Sequence, residues 1–147
     1  MPGYRVIVAD TAQAVMYELE APGAPLRETG RLDNPAGHQH ERDLGSGKPG
    51  RVMNRLGTRH SLQGRRTHKQ HETEHFARLV AKSAATDARS AGCDGLVLVA
   101  APRFLAEVKA VMPQAALKRV RAEIRRNLVE TPKLELRKKV QAAFLRT

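Results

Sequence analysis

The run DGLVLVA, Asp94 to Ala100, sets the strongest limit on what this chain can fold into. Successive side chains of a strand point to opposite faces, so a half-exposed strand alternates apolar and polar residues. From Leu96 to Ala100 nothing alternates. Such a strand is covered on both faces, as parallel strands under crossover helices are. The chain must therefore supply neighbours on both edges of this strand and packing layers above and below it. At 147 residues it is the size of one domain, 1–147, and can bury one core of that kind without a disulfide or a metal. Its single cysteine, Cys93, excludes an internal disulfide and fits a reducing compartment.

The neighbours are legible on either side. YRVIVAD (Tyr4–Asp10) is rich in β-branched residues and predicts a buried strand. AVMYELE (Ala14–Glu20) and LRETGRL (Leu26–Leu32) predict two more, joined by TAQ and by the breaker APGAP, and the third is polar enough for an edge. Links this short make the three antiparallel. THKQHETEHFARLVAKSAATDARSAG predicts a helix from Thr67 or Thr73 to a Gly92 stop, with Phe76, Leu79, Val80, Ser83, Ala84 and Ala88 on one face. Pro102 suits the first turn of a second helix, which Pro113 ends. In KRVRAEIRRNLV (Lys118–Val129) apolar Val120, Ala122 and Ile124 alternate with charges, a strand with one wet, basic face. A last helix follows Thr131–Pro132, with Leu136, Val140 and Phe144 on its buried side. The order β-β-β-α-β-α-β-α predicts an α/β domain with a five-stranded mixed sheet, the order of ribonuclease H-like domains.

Between the third strand and the first helix lies a long basic loop, residues 34–67, with six glycines and no apolar periodicity. Loops of this length in compact domains are functional or disordered, and this one has little apolar area to offset its ordering. The chain carries 26 Lys+Arg against 15 Asp+Glu, a formal net charge of +11. That excess points to a polyanionic partner, RNA first, although arginines that only solvate a surface give the same total. Aromatic residues are 3% of the chain, so phosphate contact is expected rather than base stacking. No apolar run approaches the roughly 20 residues that cross a bilayer, and the start MPGYRVIVAD lacks the h-region and cleavage site of a secretory signal. The expected location is the cytoplasm.

Several stretches invite a chemical reading. GSGKPGR (Gly45–Arg51) has the residues of a phosphate loop in the wrong arrangement. A P-loop places four residues between its glycines and follows Lys with Ser or Thr, whereas Lys48 precedes Pro49, which has no N–H to give. An ordered turn is the simpler account. All six histidines fall between His38 and His75, and His68, His71 and His75 share one helix face. No cysteine or suitably placed carboxylate completes a metal set, so they read as solvated helix residues. A two-metal nuclease needs converging carboxylates. Asp10 ends the first strand suitably, but Glu18 and Asp94 are not placed to join it, and Asp10 is also a natural turn former. Cys93 has no activating neighbour and reads as a buried thiol. No cofactor, metal or catalytic set is expected.

Four stretches together resemble a known family: VIVADTAQAVMYE, GKPGR, EHFARLVA with DGLVLVAAPRFLAEVK, and EIRRNLVETPKLELRKKV. They are similar to the bacterial host attachment proteins, described as required for attachment to host cells. That family is grouped with relatives of the archaeal and eukaryotic peptide-chain release factors, through the central domain of release factors and of Pelota-like rescue factors. The resemblance implies that the loop before the long helix faces RNA. It also implies a turn-and-arginine element centred on Arg51, where relatives carry an acidic residue at the position of Lys48. Release factors carry Gly-Gly-Gln in that loop; here LGTRHSLQGRRTHKQ keeps Gln63–Gly64 without the motif.

The leading expectation is thus a non-enzymatic RNA- or ribosome-associated module. Arg51, Arg55, Arg59, Arg65 and Arg66 would meet phosphates, and Arg121, Arg125 and Arg126 would extend the surface. Asp10 and Gln63 are the polar candidates for any residual chemistry. The alternatives are a peptidyl-tRNA hydrolase with a degenerate loop, a metal-dependent nuclease, and a protein-interaction factor in attachment.

Overall fold

The computed structural model describes residues 3–35 and 58–146. Five strands, β1 (Gly3–Ala9), β2 (Gln13–Leu19), β3 (Arg27–Asp33), β4 (Cys93–Val99) and β5 (Val120–Ile124), form one sheet in the order β3-β2-β1-β4-β5. The helices are α1 (Thr58–Ala88), α2 (Pro102–Ala110), α3 (Gln114–Leu117) and α4 (Lys133–Arg146). β1 pairs antiparallel with β2, and β2 with β3. On its other side β1 runs parallel to β4, and β4 parallel to β5. The expected mixed five-stranded sheet is present, with DGLVLVA one strand from its edge and β3 on the opposite edge.

Strand alternation divides the core into two layers. Ile7, Ala9, Leu96 and Leu98 face α1, α2 and α3, while Val6, Val8, Val97 and Val99 face α4. Leu96 and Val97 are both 0% exposed, as an unbroken apolar strand requires. Burying one such side chain contributes about 1.5–3 kcal/mol before conformational entropy is subtracted. On α4, Leu136, Val140 and Ala143 are buried, and Phe144 packs its ring on Tyr4 with centroids 4.7 Å apart.

Three local expectations change. First, α1 begins at Thr58, so residues 58–67 of the expected loop are helical. Apolar periodicity misses this part because it is polar all round. Its Leu, Gln, Arg and Lys residues are good helix formers all the same. Second, the buried face of α1 is Phe76, Ala77, Val80, Ala81, Ala84, Ala85 and Ala88, and Leu79 is 39% exposed. Alanines let the helix approach the sheet closely, and packing selects them over the more hydrophobic Leu79. Third, Pro113 does more than end a helix: it caps the four-residue α3, and β5 is confined to Val120–Ile124. The loop's middle, residues 36–57, lies outside the described residues.

Gly92 closes the connection after α1 at φ 78°, a left-handed conformation that glycine adopts without strain. Gly95 is needed for a different reason. A Cβ there would overlap the Arg121 Cγ and stand 3.0 Å from the Arg119 carbonyl oxygen. The arginine stem crosses β4 where no side chain stands. Gly95→Ala is expected to cost roughly 1–3 kcal/mol through overpacking. Adding Arg121→Ala should recover part of that loss, since the Arg119 carbonyl stays in place. Urea midpoints of the single and double variants measure both effects, and an unshifted single variant would contradict the close approach.

Asp87, in the last turn of α1, gives a pH-dependent prediction. Its Oδ2 is shielded and has no hydrogen-bond partner. Burial pushes its carboxyl above the usual value of 3.8, and Arg5 only partly opposes that. A carboxylate at a helix C-terminus also opposes the helix dipole. Because the folded pKa exceeds the unfolded one, the native state holds the proton more tightly. Stability is therefore highest below the unfolded value and falls as pH rises through the raised one. Asp87→Asn should melt at higher temperature than the parent at neutral pH, and the gain should vanish as pH falls below the ordinary aspartate range.

Candidate functional site

The parallel strands β1, β4 and β5 deliver their carboxyl ends to one edge of the sheet, where chain segments from five elements meet. β1 ends at Asp10. Its Oδ1 accepts hydrogen bonds from the backbone N–H groups of Ala12 (2.8 Å) and Gln13 (2.9 Å), closing the turn into β2. Oδ2 faces the Asn127 Nδ2 at 3.5 Å, and Asn127 Oδ1 in turn accepts from the Val129 N–H at 3.1 Å. Asp10 is thus a turn former tied to the segment after β5.

Beside this turn a cleft of 610 Å³ opens between α1 and the start of α2, lined by Thr11, Gln70, Thr73, Arg103, Phe104 and Glu107. Its position follows from the topology. α1 leads through a short turn into β4, so it runs antiparallel to β4 and its N-terminal half points toward the carboxyl edge. From Gln70 onward Phe76 is the first buried residue of α1, and Gln70 and Thr73, one to two turns earlier, stand over the cleft. Residues 58–69 continue the same helix about 18 Å further at 1.5 Å per residue. Arg103 sits in the first turn of α2 directly after β4. Phe104 is buried and stacks on Phe76 at 6.1 Å, forming the floor.

The expected site residues distribute as follows. Arg51 and Arg55 lie outside the described residues. Arg59, Gln63, Arg65 and Arg66 lie on the backbone of the N-terminal part of α1. Arg121, Arg125 and Arg126 do not share one strand face. A register shift between Leu96 and Val97 interrupts the β4–β5 pairing, so the alternation of side chains across β5 breaks near Arg121. Arg121 lies over Gly95 and donates to the Lys118 carbonyl (3.4 Å). Arg125 and Arg126 follow the end of β5, at the carboxyl edge. Glu123, between them and Arg121 in sequence, pairs with Lys109 of α2 at 2.6 Å.

The three candidate carboxylates stay apart. Glu18 pairs with Arg5 (3.2 Å) and with Arg27, opposite Arg5 in the β1–β2 register and therefore toward the other end of β1 from Asp10. Asp94 is exposed at the start of β4. His71 and His75 are not buried, and among the described residues no three His, Cys, Asp or Glu side chains gather as a metal site. Cys93 is buried, its thiol 3.5 Å from the Gly95 carbonyl.

Sequence reasoning missed Thr11, Gln70, Thr73, Arg103, Glu107 and Asn127. They form no motif, and only the fold brings them together. One signal was available: Pro102 fixes the start of α2 just after a parallel strand, which assigns Arg103 to the carboxyl edge, where ligands of open α/β sheets bind. Electrostatically, Arg103, Arg125 and Arg126 stand at this edge beside Asp10, Glu107 and Glu123, and Glu123 holds both Lys109 (2.6 Å) and Arg125 (3.8 Å).

Among the described residues no helix is long and apolar enough to cross a membrane. A protein family described as "Protein required for attachment to host cells" matches residues 5–140. No curated protein matches the chain.

Proposed function

Because the chain belongs to the family of proteins required for attachment to host cells, we propose that it serves attachment indirectly, as a cytoplasmic, non-enzymatic module that binds RNA or the ribosome. The observation that carries this reading is the gathering of basic residues at the carboxyl edge. Arg103 stands there on the α2 side and Arg126, with Lys139, on the α4 side of a chain of net charge +11, and the backbone of α1 carries Arg59, Arg65 and Arg66 beyond it. Arginines carried by a helix and by an adjacent sheet edge suit a phosphate backbone. The strand order β3-β2-β1-β4-β5 supports the ribonuclease H-like assignment. The release-factor-like relationship rests on the resemblance of the motifs, and it makes tRNA or ribosomal RNA the favoured polyanion.

A second reading, a protein-interaction factor, is favoured by Leu134 and Leu145, 68% and 82% exposed on α4. The two readings separate in one experiment: fluorescence anisotropy with labelled single-stranded RNA over a series of salt concentrations. RNA binding predicts a steep linear fall of log affinity with log salt. Absence of binding at low salt would remove the RNA reading and leave the protein-interaction one. Incubating the same RNA with magnesium or manganese tests the nuclease alternative. Intact RNA is expected, and cleavage that Asp10→Asn abolishes would replace the non-enzymatic reading.

A further inference from the structure

The carboxyl-edge cleft holds a side chain that the fold leaves unexplained. Glu107 lies on α2 four residues after Arg103 and lines the cleft with it. Its Oε2 is shielded from water and no hydrogen bond reaches it. The other carboxylates of this region are occupied: Asp10 by two turn amides and Asn127, Glu123 by Lys109. A shielded carboxylate oxygen without a donor is a standing cost to the folded state. Among the described residues, the other side-chain polar groups lining the cleft are the hydroxyls of Thr11 and Thr73, the Gln70 amide and the Arg103 guanidinium. The ligand that suits this set offers a hydroxyl donor to the carboxylate and, a few ångströms away, an anion to the arginine.

We propose that the cleft takes one ribonucleotide unit of a bound RNA strand, with a ribose hydroxyl donating to Glu107 and the adjoining phosphate against Arg103. The inference rests on the RNA reading above and names what one part of that surface recognises. Ribose hydroxyl and phosphate are joined covalently at the spacing the two side chains require, roughly one helical turn. The cleft's 610 Å³ is in the range of pockets that hold small ligands. α2 begins at the same place, and its N-cap Ala101 supplies no side-chain cap, so the positive end of the helix dipole also favours the phosphate. The last side-chain torsion of Glu is broad, which lets the carboxylate turn toward a donor in the cleft. Glu107 then has a consequence that a phosphate contact lacks. The 2′-hydroxyl exists in RNA alone, so this residue makes the surface select RNA over DNA.

The test is the affinity of the full chain for a short labelled uridine-rich RNA and for the DNA of equivalent sequence, at one salt concentration, with thermal melts alongside. The parent should favour RNA by roughly tenfold, the effect of one hydrogen bond to a charged group. Glu107→Ala should lose that preference while binding DNA at least as well, and should melt no lower than the parent, because the unpartnered oxygen is gone. Arg103→Ala should weaken both strands alike. RNA binding whose preference over DNA survives Glu107→Ala overturns this inference and leaves the RNA reading standing. A Glu107→Ala protein that melts lower and loses both strands marks a structural residue and overturns it too. If the parent binds neither strand, the RNA reading falls and the inference falls with it.

Discussion

Replacing Val97 with Asp is expected to unfold the domain. Val97 is 0% exposed on the face of β4 that meets α4, among Val6, Val8, Val99 and Val140. Among the described residues, the buried side chains of that layer include no cation to pair with a carboxylate. The substitution removes a valine's burial, about 1.5–3 kcal/mol, and adds the cost of an unpaired buried charge or of protonating it, several kcal/mol more. A domain whose whole stability is about 5–15 kcal/mol does not absorb both. Circular dichroism melts should show the variant unfolded or melting far below the parent. A variant that melts like the parent would mean that β4 is not an inner strand and that the two-layer core is wrong.

The second large effect concerns charge. Arg59, Arg65, Arg66 and Arg126 replaced together by Ala should leave the fold intact, which a circular dichroism melt checks: alanine keeps the helix of α1, and Arg126 is exposed. Each phosphate that an arginine no longer neutralises lowers the salt slope of log affinity by about 0.7–0.9, so the quadruple variant should bind with a slope about 3 smaller than the parent's. The weakening should be uniform across RNA sequences, since phosphate contacts position a strand without reading it. Anisotropy titrations at several salt concentrations give the slope directly. An unchanged slope would remove these arginines from the RNA surface.

The sheet was readable from the sequence because its strands are dense in β-branched residues and because links such as TAQ leave antiparallel pairing as the short route. DGLVLVA announced its double burial through the lack of alternation alone. α1 was readable only in its later part. From Phe76 onward it buries a face, and the spacing of that face shows in the sequence; before Gln70 no apolar spacing marks it, so a helix and a loop look alike there. The shift of the buried face from Leu79 to the neighbouring alanines came from close packing, which hydropathy does not weigh. At the site, Asp10 was legible as a strand-end residue and the turn it closes was among its expected roles. Arg103 and Glu107 were not legible, because their significance comes from the meeting of β1, β4 and α1 at one edge. The split of Arg121 from Arg125 and Arg126 depends on an irregularity in β5 pairing, and strict alternation in KRVRAEIRRNLV concealed it.

The central claim, that this member of the attachment family works through RNA, is tested most directly by sedimentation with ribosomes. Purified protein layered with ribosomes should pellet with them at low salt and remain in the supernatant at high salt, and the quadruple arginine variant should stay in the supernatant at both. Protein that never enters the ribosome pellet, or enters it equally at every salt concentration and with or without the arginines, would contradict the account.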